Sequence, residues 1–284
     1  MTQIKPRIRF NQQKVTQMNQ IMSQLALNTV CSEASCPNLG ECYTNGTATF
    51  MILGKHCSRN CRFCDVTFGH MEAVDPLEPI HLAKASQQLE LGHVVITSVA
   101  RDDLADGGAS QFAKTIAALK EQSPDTKIEV LIPDFLGNPD SLDQIIQAKP
   151  DIINHNIETV ARLSKQVRHR ATYERSLSVL HYIHTQAPNI YTKTGIMLGL
   201  GETKEEVEQA MTDALAVGVD FFTIGQYLQP SSRHYPLKEY VPADTFKDYY
   251  RLGMAKGFKF VASSPTVRSS YRAKEALTLG GHSI

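Results

Sequence analysis

Six times between residues 47 and 256, a β-branched apolar run is followed by an amphipathic, helix-like stretch. The strand-like runs are 47–54, 93–99, 127–132, 151–154, 191–198 and 221–225. The helix-like stretches are 77–91, 109–122, 141–148, 173–187, 204–217 and 243–256. Gly92, Gly218 and Gly257 fall where helices should end, and Pro150 and Pro188 stop two others. Thr203 precedes Glu205 and Glu206, a cap followed by acidic residues in a first turn. Apolar strands alternating with helices predict a parallel sheet covered by helices. The expected fold class is α/β, a partial (β/α)6 TIM-like barrel over residues 47–257. An N-terminal extension, 1–46, precedes it, and a C-terminal segment, 258–284, follows, opening on a short strand at 258–262. A doubly wound sheet is the alternative, but no G-x-G-x-x-G follows the first strand.

Composition narrows the function classes. Hydrophobic residues make up 42% of the 284, enough for a sizeable core, and 20% charged residues argue against disorder. Twenty-nine basic and 29 acidic residues cancel, which gives no support for broad nucleic-acid or membrane-surface binding. No apolar run approaches the ~20 residues that span a bilayer. The start has no apolar signal core, and a cytoplasmic location is expected. Lys5, Arg7, Arg9 and Lys14 without an acid before residue 31 resemble a transit peptide; a basic surface arm is the preferred reading.

All 6 cysteines fall between Cys31 and Cys64. Their spacings are C-x4-C-x5-C (Cys31, Cys36, Cys42) and C-x3-C-x2-C (Cys57, Cys61, Cys64). A disulfide framework suits small secreted domains without a core, unlike this chain. Structural zinc prefers paired C-x2-C units, of which there is one here, although His56 and His70 are near enough in sequence to complete such a site. Thiolates also suit iron–sulfur clusters, and two triplets suggest two cubes, each with one iron not held by cysteine.

The second triplet, CSRNCRFC, resembles the signature of the radical S-adenosylmethionine (SAM) superfamily. That resemblance implies a [4Fe–4S] cluster whose open iron chelates SAM, reductive cleavage of SAM, and hydrogen abstraction by the resulting 5′-deoxyadenosyl radical. It also implies SAM contacts at the carboxyl ends of the strands, where barrel enzymes keep their chemistry. Candidates are Phe63 beside the adenine, and Thr97 and Ser98 for the amino group. Asn154, Asn156 and Glu158 are candidates for the ribose, Gly199 and Glu202 for the nucleoside, and Gln226 and Tyr227 for the adenine edge. Each also has a plain reading. Phe63 fits a core position over the cluster, Thr97 and Ser98 ordinary strand ends, Gly199 and Gly201 a tight turn, and Glu202 a helix N-terminal charge. Arg101, Asp102 and Asp103 suit either the SAM carboxylate or a loop cap, and His155 suits a packed core histidine.

Four pieces together are similar to one family, the lipoyl synthases. They are CSEASCPNLGEC with its three cysteines; the radical SAM triplet; the strand-end motifs ITSVARDDLADGGA, NHNIETV and GIMLGLGET; and Arg268-Ser269-Ser270-Tyr271, which resembles the family's RSSY motif. Biotin-synthase-like and methylthiotransferase-like enzymes share the barrel and one motif, but not the first and last pieces. The resemblance implies a radical SAM sulfurtransferase that inserts sulfur at C6 and C8 of a protein-bound octanoyl-lysine. The cofactors implied are SAM and two [4Fe–4S] clusters. One, held by Cys57, Cys61 and Cys64, binds SAM. The other, an auxiliary cluster held by Cys31, Cys36, Cys42 and Ser270, donates the sulfur. Arg268 and Ser270 are the catalytic candidates. Serine is a hard, poor ligand for iron, so one corner of the auxiliary cluster is expected to be labile. The implied partners are octanoylated lipoyl carrier domains (2-oxoacid dehydrogenase E2, glycine cleavage H protein), a ferredoxin or flavodoxin electron donor, and an iron–sulfur carrier protein.

Overall fold

The computed structural model describes residues 11–33, 38–44, 47–270 and 275–277; Lys5, Arg7, Arg9, Cys36 and Tyr271 lie outside the described residues. The six expected strands are all present, as β2 (Thr47–Ile52), β3 (His93–Ser98), β4 (Lys127–Leu131), β5 (Ile152–Asn154), β6 (Tyr191–Leu198) and β7 (Phe221–Gln226), after a two-residue β1 (Asn28–Thr29). The expected short strand is β8 (Phe260–Ser263). Strand order follows chain order from β1 to β8, every pair from β2 onward is parallel, and β1 runs antiparallel along β2. Among the described residues β8 pairs only with β7 and β1 only with β2, so the sheet curls without closing, the architecture of a partial barrel.

The N-terminal extension contributes α1 (Gln12–Gln24), α2 (Val30–Glu33) and α3 (Leu39–Thr44). Asn11 caps α1 by accepting from the Gln13 and Lys14 amides, and Val15, Met18, Ile21 and Met22 form its buried stripe. The crossovers are α4 (Glu78–Gln88), α5 (Ala109–Gln122), α6 (Pro139–Ala148), α7 (Ala161–Val167), α8 (Tyr173–Gln186), α9 (Lys204–Ala216) and α10 (Ala243–Lys256). Local chemistry explains several starts. Thr203 and Glu206 form a reciprocal capping box at α9. Asp106 accepts from the amides of Gly108 and Ser110, both at 2.9 Å, and so sets the turn before α5. Gly108 has φ 93°, and a Cβ there would meet Leu53 Cδ1 at 2.3 Å.

Two differences from the sequence-based expectation have physical reasons. The first parallel strand stops at Ile52 rather than Gly54, because Leu53 (φ 71°) and Gly54 (φ 97°) turn the chain out of the sheet. The buried Glu78 carboxylate fixes that turn, accepting from the Leu53 amide at 3.1 Å. Helix α7 was not expected; two apolar anchors, Leu163 and Val167, are too few to show a helical period.

The two faces of the sheet differ. On β3 and β4, Val94, Ile96, Ile128 and Val130 pack beneath the helices. The alternate residues His93 and Glu129 point inward, towards Asn154 on β5 and Lys193 on β6. Glu129 is fully buried and receives Lys193 Nζ at 2.8 Å and Asn154 Nδ2 at 3.2 Å. Burial works against its charge, yet Lys193 holds its carboxyl below the ordinary range. The amino-terminal mouth of the barrel is apolar. Ile152, Tyr191, Phe221 and Phe260, the first residues of their strands, pack with Ala276 and Leu277. Tyr191 stacks on Phe221 with centroids 4.9 Å apart. Among the described residues this apolar packing covers that end of the barrel and leaves the carboxyl ends of the strands for a site.

Candidate active site

After β2 the chain leaves the sheet and forms the loop carrying Cys57, Cys61 and Cys64. Backbone and side-chain bonds pin that loop to itself, to the segment after β3 and to the end of α7. The Cys57 amide donates to Thr67 O (2.8 Å), the Ser58 amide to Ala100 O (2.9 Å) and the Arg62 amide to Val167 O (2.9 Å). The Asp102 amide returns a bond to Ser58 Oγ at 3.0 Å. On the far side, His234 Nε2 lies 3.1 Å from Cys64 O, and the Tyr235 amide donates to Arg62 O at 2.6 Å. Arg59 makes the strongest attachment. It forks onto Asp102 (2.7 and 2.9 Å) and pairs with Asp134 beyond β4 at 2.7 Å. Despite burial, these carboxylates hold its charge above the ordinary arginine value.

The thiols are suited to a cationic, soft metal centre. Burial, then the neighbouring Cys57, pushes the Cys61 thiol up to about 11. Burial raises Cys64 to about 12, with Cys61 and Cys57 adding to it. Cys61 and Cys64 therefore ionise readily only beside added positive charge, which a bound soft metal centre would supply. The Cys57 sulfur also accepts from the amides of Arg59 (3.4 Å) and Ala100 (3.3 Å). Around one zinc, thiolates at about 2.3 Å would stand about 3.8 Å apart. Among the described residues no three Cys, His, Asp or Glu side chains gather closely enough for a single ion. A cube takes each thiolate on a different iron, so its ligands stand further apart.

The other expected residues line the strand ends in different states. Thr97 Oγ1 donates to Leu131 O at 3.0 Å, while the buried Ser98 Oγ lacks a partner. Asn154 Nδ2 is bound to Glu129, which leaves Asn154 Oδ1 unpaired. Asn156 Nδ2 donates to Glu158 Oε1 (3.1 Å) and Ser269 Oγ (2.5 Å), and its Oδ1 is also buried without a partner. Glu158 sits at φ 65°, and burial raises its carboxyl above the usual range. Glu202 ties the turn after β6 by accepting from the Gly199 amide (2.6 Å) and the Leu200 amide (2.9 Å), and Gly199 takes φ 99°. Gln226 and Tyr227 face the protein rather than open space. Gln226 Nε2 donates to Leu198 O, Tyr227 O and Glu239 O, and the Tyr227 hydroxyl donates to Tyr235 O at 2.8 Å. Phe63 is half-buried against the core between β6 and α10. Arg101 pairs with Asp103 at 2.8 Å and holds Leu53 O. His155 is a core histidine, bonded to Ile132 O and Ser176 Oγ, and burial lowers its pKa to about 4.

The second cysteine group and the C-terminal strap approach the same part of β2. Thr29 pairs with Phe50, two residues before Cys31, and Thr49 Oγ1 donates to Ser270 Oγ at 2.8 Å. The Cys42 amide bonds to Asn38 O, and Asn38 Nδ2 donates to Thr266 O at 2.6 Å. Burial raises the Tyr43 hydroxyl to about 12, with Cys31 and Cys42 both near enough to contribute. Arg268 holds its own strap through Val267 O at 2.6 Å. Cys36 is outside the described residues. Sequence reasoning missed Arg59, Asp134, Arg168 and Thr49. Asp134 was findable as an acid just beyond a strand end. Arg168, 4% exposed and donating to Asn156 O at 2.7 Å, carries no local signal of its burial.

Comparison with known proteins agrees with this geometry. Residues 51–214 match the model of the radical SAM superfamily. The chain is 51% identical over 282 residues to a lipoyl synthase of Caldanaerobacter subterraneus subsp. tengcongensis, covering 98% of this chain and 99% of that protein. It is 48% identical over 274 residues to a lipoyl synthase of Aquifex aeolicus, covering 96% and 99%. Its fold resembles the crystal structure of methylornithine synthase, with a TM-score of 0.58 at 13% identity over 95% of this chain and 94% of that one.

Proposed function

This chain belongs to the lipoyl synthases of the radical SAM superfamily, and on that premise we propose that it inserts two sulfur atoms, at C6 and C8, into an octanoyl chain carried as an amide on a lysine of a lipoyl carrier domain. The observation that carries this reading is the convergence of the N-terminal extension and the C-terminal strap on one stretch of β2, through Asn38–Thr266 and Thr49–Ser270. That pairing brings the segment carrying Cys31 and Cys42 and the segment carrying Ser270 to one place, as a second centre shared by them requires.

Cys57, Cys61 and Cys64 would hold one [4Fe–4S] cluster, and Cys31, Cys36, Cys42 and Ser270 would hold the other. With SAM bound, the first supplies hydrogen abstraction from unactivated carbon and the second supplies sulfur. The chain's own residues orient these groups. Arg59, clamped by Asp102 and Asp134, fixes the loop of the first triplet. Asn156 and Glu158 offer an amide oxygen and a carboxylate to the paired hydroxyls of a ribose. The turn at Gly199, tied by Glu202, lets backbone approach the nucleoside. Thr97, Ser98 and Phe63 complete the SAM side, while Tyr227 braces the wall behind it through Tyr235 O, and Arg268 steadies the strap presenting Ser270. The apolar seal of Tyr191, Phe221 and Phe260 closes the far end, so substrate enters past the strand ends.

The partners of this reading are octanoylated lipoyl domains, a ferredoxin or flavodoxin, and an iron–sulfur carrier that rebuilds the spent cluster. Among the described residues no helix is long and apolar enough to cross a membrane. The test is anaerobic incubation of reconstituted protein with SAM, dithionite and an octanoyl-lysine peptide. Paired sulfur insertion with about two deoxyadenosines per product supports the reading, one SAM being spent for each C–H bond broken. SAM cleavage without sulfur gain overturns it.

A further inference from the structure

Asn156 stands between two parts of the site that sequence separates. Its Nδ2 donates to Ser269 Oγ at 2.5 Å and to Glu158 Oε1 at 3.1 Å. With Nδ2 turned this way the amide nitrogen meets two oxygens, Glu158 Oε1 and Ser269 Oγ, each able to accept. Both amide hydrogens are thereby committed, and Oδ1 remains buried and unpaired. A buried acceptor without a donor is unfavourable, and a hydroxyl that donated to it would satisfy the group without displacing Ser269. Resting on the reading that Asn156 and Glu158 hold the SAM ribose, we infer that Asn156 couples occupancy of the nucleoside site to the placement of the C-terminal strap, with Ser269 as the positioning residue.

The coupling follows from one rigid amide making both bonds. A ribose hydroxyl on Oδ1 immobilises Asn156 and so tightens its grip on Ser269. Loss of the Ser269 hydroxyl leaves the amide freer and weakens its hold on the ribose. Thermodynamic linkage requires the two effects to be equal in size. The chemical consequence is ordering: Ser270, next to Ser269, is presented most firmly when SAM is in place.

The experiment uses anaerobically reconstituted full-length holoenzyme with SAM and no reductant. SAM affinity is read by equilibrium dialysis, and hydrogen exchange over residues 264–270 is read with and without SAM. Ser269→Ala should weaken SAM binding by about fivefold, the factor for one ordinary hydrogen bond. SAM should slow exchange in the wild-type strap by a similar factor and leave the Ser269→Ala strap unprotected. Ser269→Thr, which keeps the hydroxyl, should restore both readouts. A Ser269→Ala protein that binds SAM as tightly as wild type, or a wild-type strap indifferent to SAM, overturns the coupling and leaves the proposed reaction standing. A wild-type protein that binds no SAM overturns both.

Discussion

Gly225 on β7 lies directly against the strap. Its φ lies outside the left-handed region, so alanine is acceptable to the backbone there. Space is the obstacle. A Cβ would stand 2.1 Å from Val267 O, 3.1 Å from Val267 C and 3.4 Å from Arg268 Nη1. Real contacts of this kind do not fall below 3.0 Å, so the strap must retreat by about 0.9 Å. Carried along the strap, that shift lengthens the 2.5 Å bond between Ser269 and Asn156 to about 3.4 Å, beyond useful hydrogen-bond range. Misplacing a reacting group by about 1 Å costs on the order of a hundredfold in rate. Gly225→Ala should therefore insert sulfur about a hundredfold more slowly while cleaving SAM within a few-fold of wild type, because the loop of Cys57, Cys61 and Cys64 is pinned elsewhere. The assay is single-turnover mass spectrometry of an octanoyl-lysine peptide beside deoxyadenosine quantitation. Sulfur insertion at the wild-type rate would refute the reasoning, as would equal loss of both activities.

Other perturbations address other parts of the fold. Lys193→Met leaves the fully buried Glu129 without its counter-charge and should destabilise the protein by about 3–5 kcal/mol in denaturant titration. Adding Glu129→Leu should recover most of that loss, and a double variant no more stable than the single contradicts the pairing. His155 titrates near pH 4 in the folded chain and about 6.5 unfolded, so its contribution is complete above pH 6.5. Between pH 6.5 and 4 the unfolded chain takes up a proton that the folded chain refuses, and about 3 kcal/mol of stability is lost. His155→Gln should remove that slope; parallel pH profiles for wild type and variant would contradict it. Ser270→Cys replaces a poor iron ligand with a good one and should slow sulfur transfer more than cluster assembly. Unchanged or faster lipoyl formation counts against a labile serine corner.

What the sequence disclosed was local. All seven parallel strands were recovered, with boundaries within two residues, because apolar alternation and glycine or proline stops are written in adjacent residues. Thr203 was readable for the same reason. The cysteine spacings carried the chemistry directly. The rest lives in contacts across the fold. Asn38 and Thr266 meet from opposite ends of the chain, and nothing beside either residue announces the other. Arg59 lay inside the cysteine motif yet gave no hint of Asp134. Tyr227 follows a strand end, as a cofactor contact should, but its hydroxyl is spent on Tyr235 O. Glu129 and Lys193 lie in different apolar strands, and only the barrel's curvature brings the two charges together.

Counting metal and sulfide on anaerobically reconstituted protein, with Mössbauer spectra of the same sample, addresses the two-centre arrangement most simply. About eight irons and eight sulfides per chain are predicted, falling to about four of each in a Cys57→Ala/Cys61→Ala/Cys64→Ala variant and to about four in the corresponding Cys31, Cys36 and Cys42 variant. A wild-type chain that binds about four irons, or bound zinc in place of iron, would contradict it.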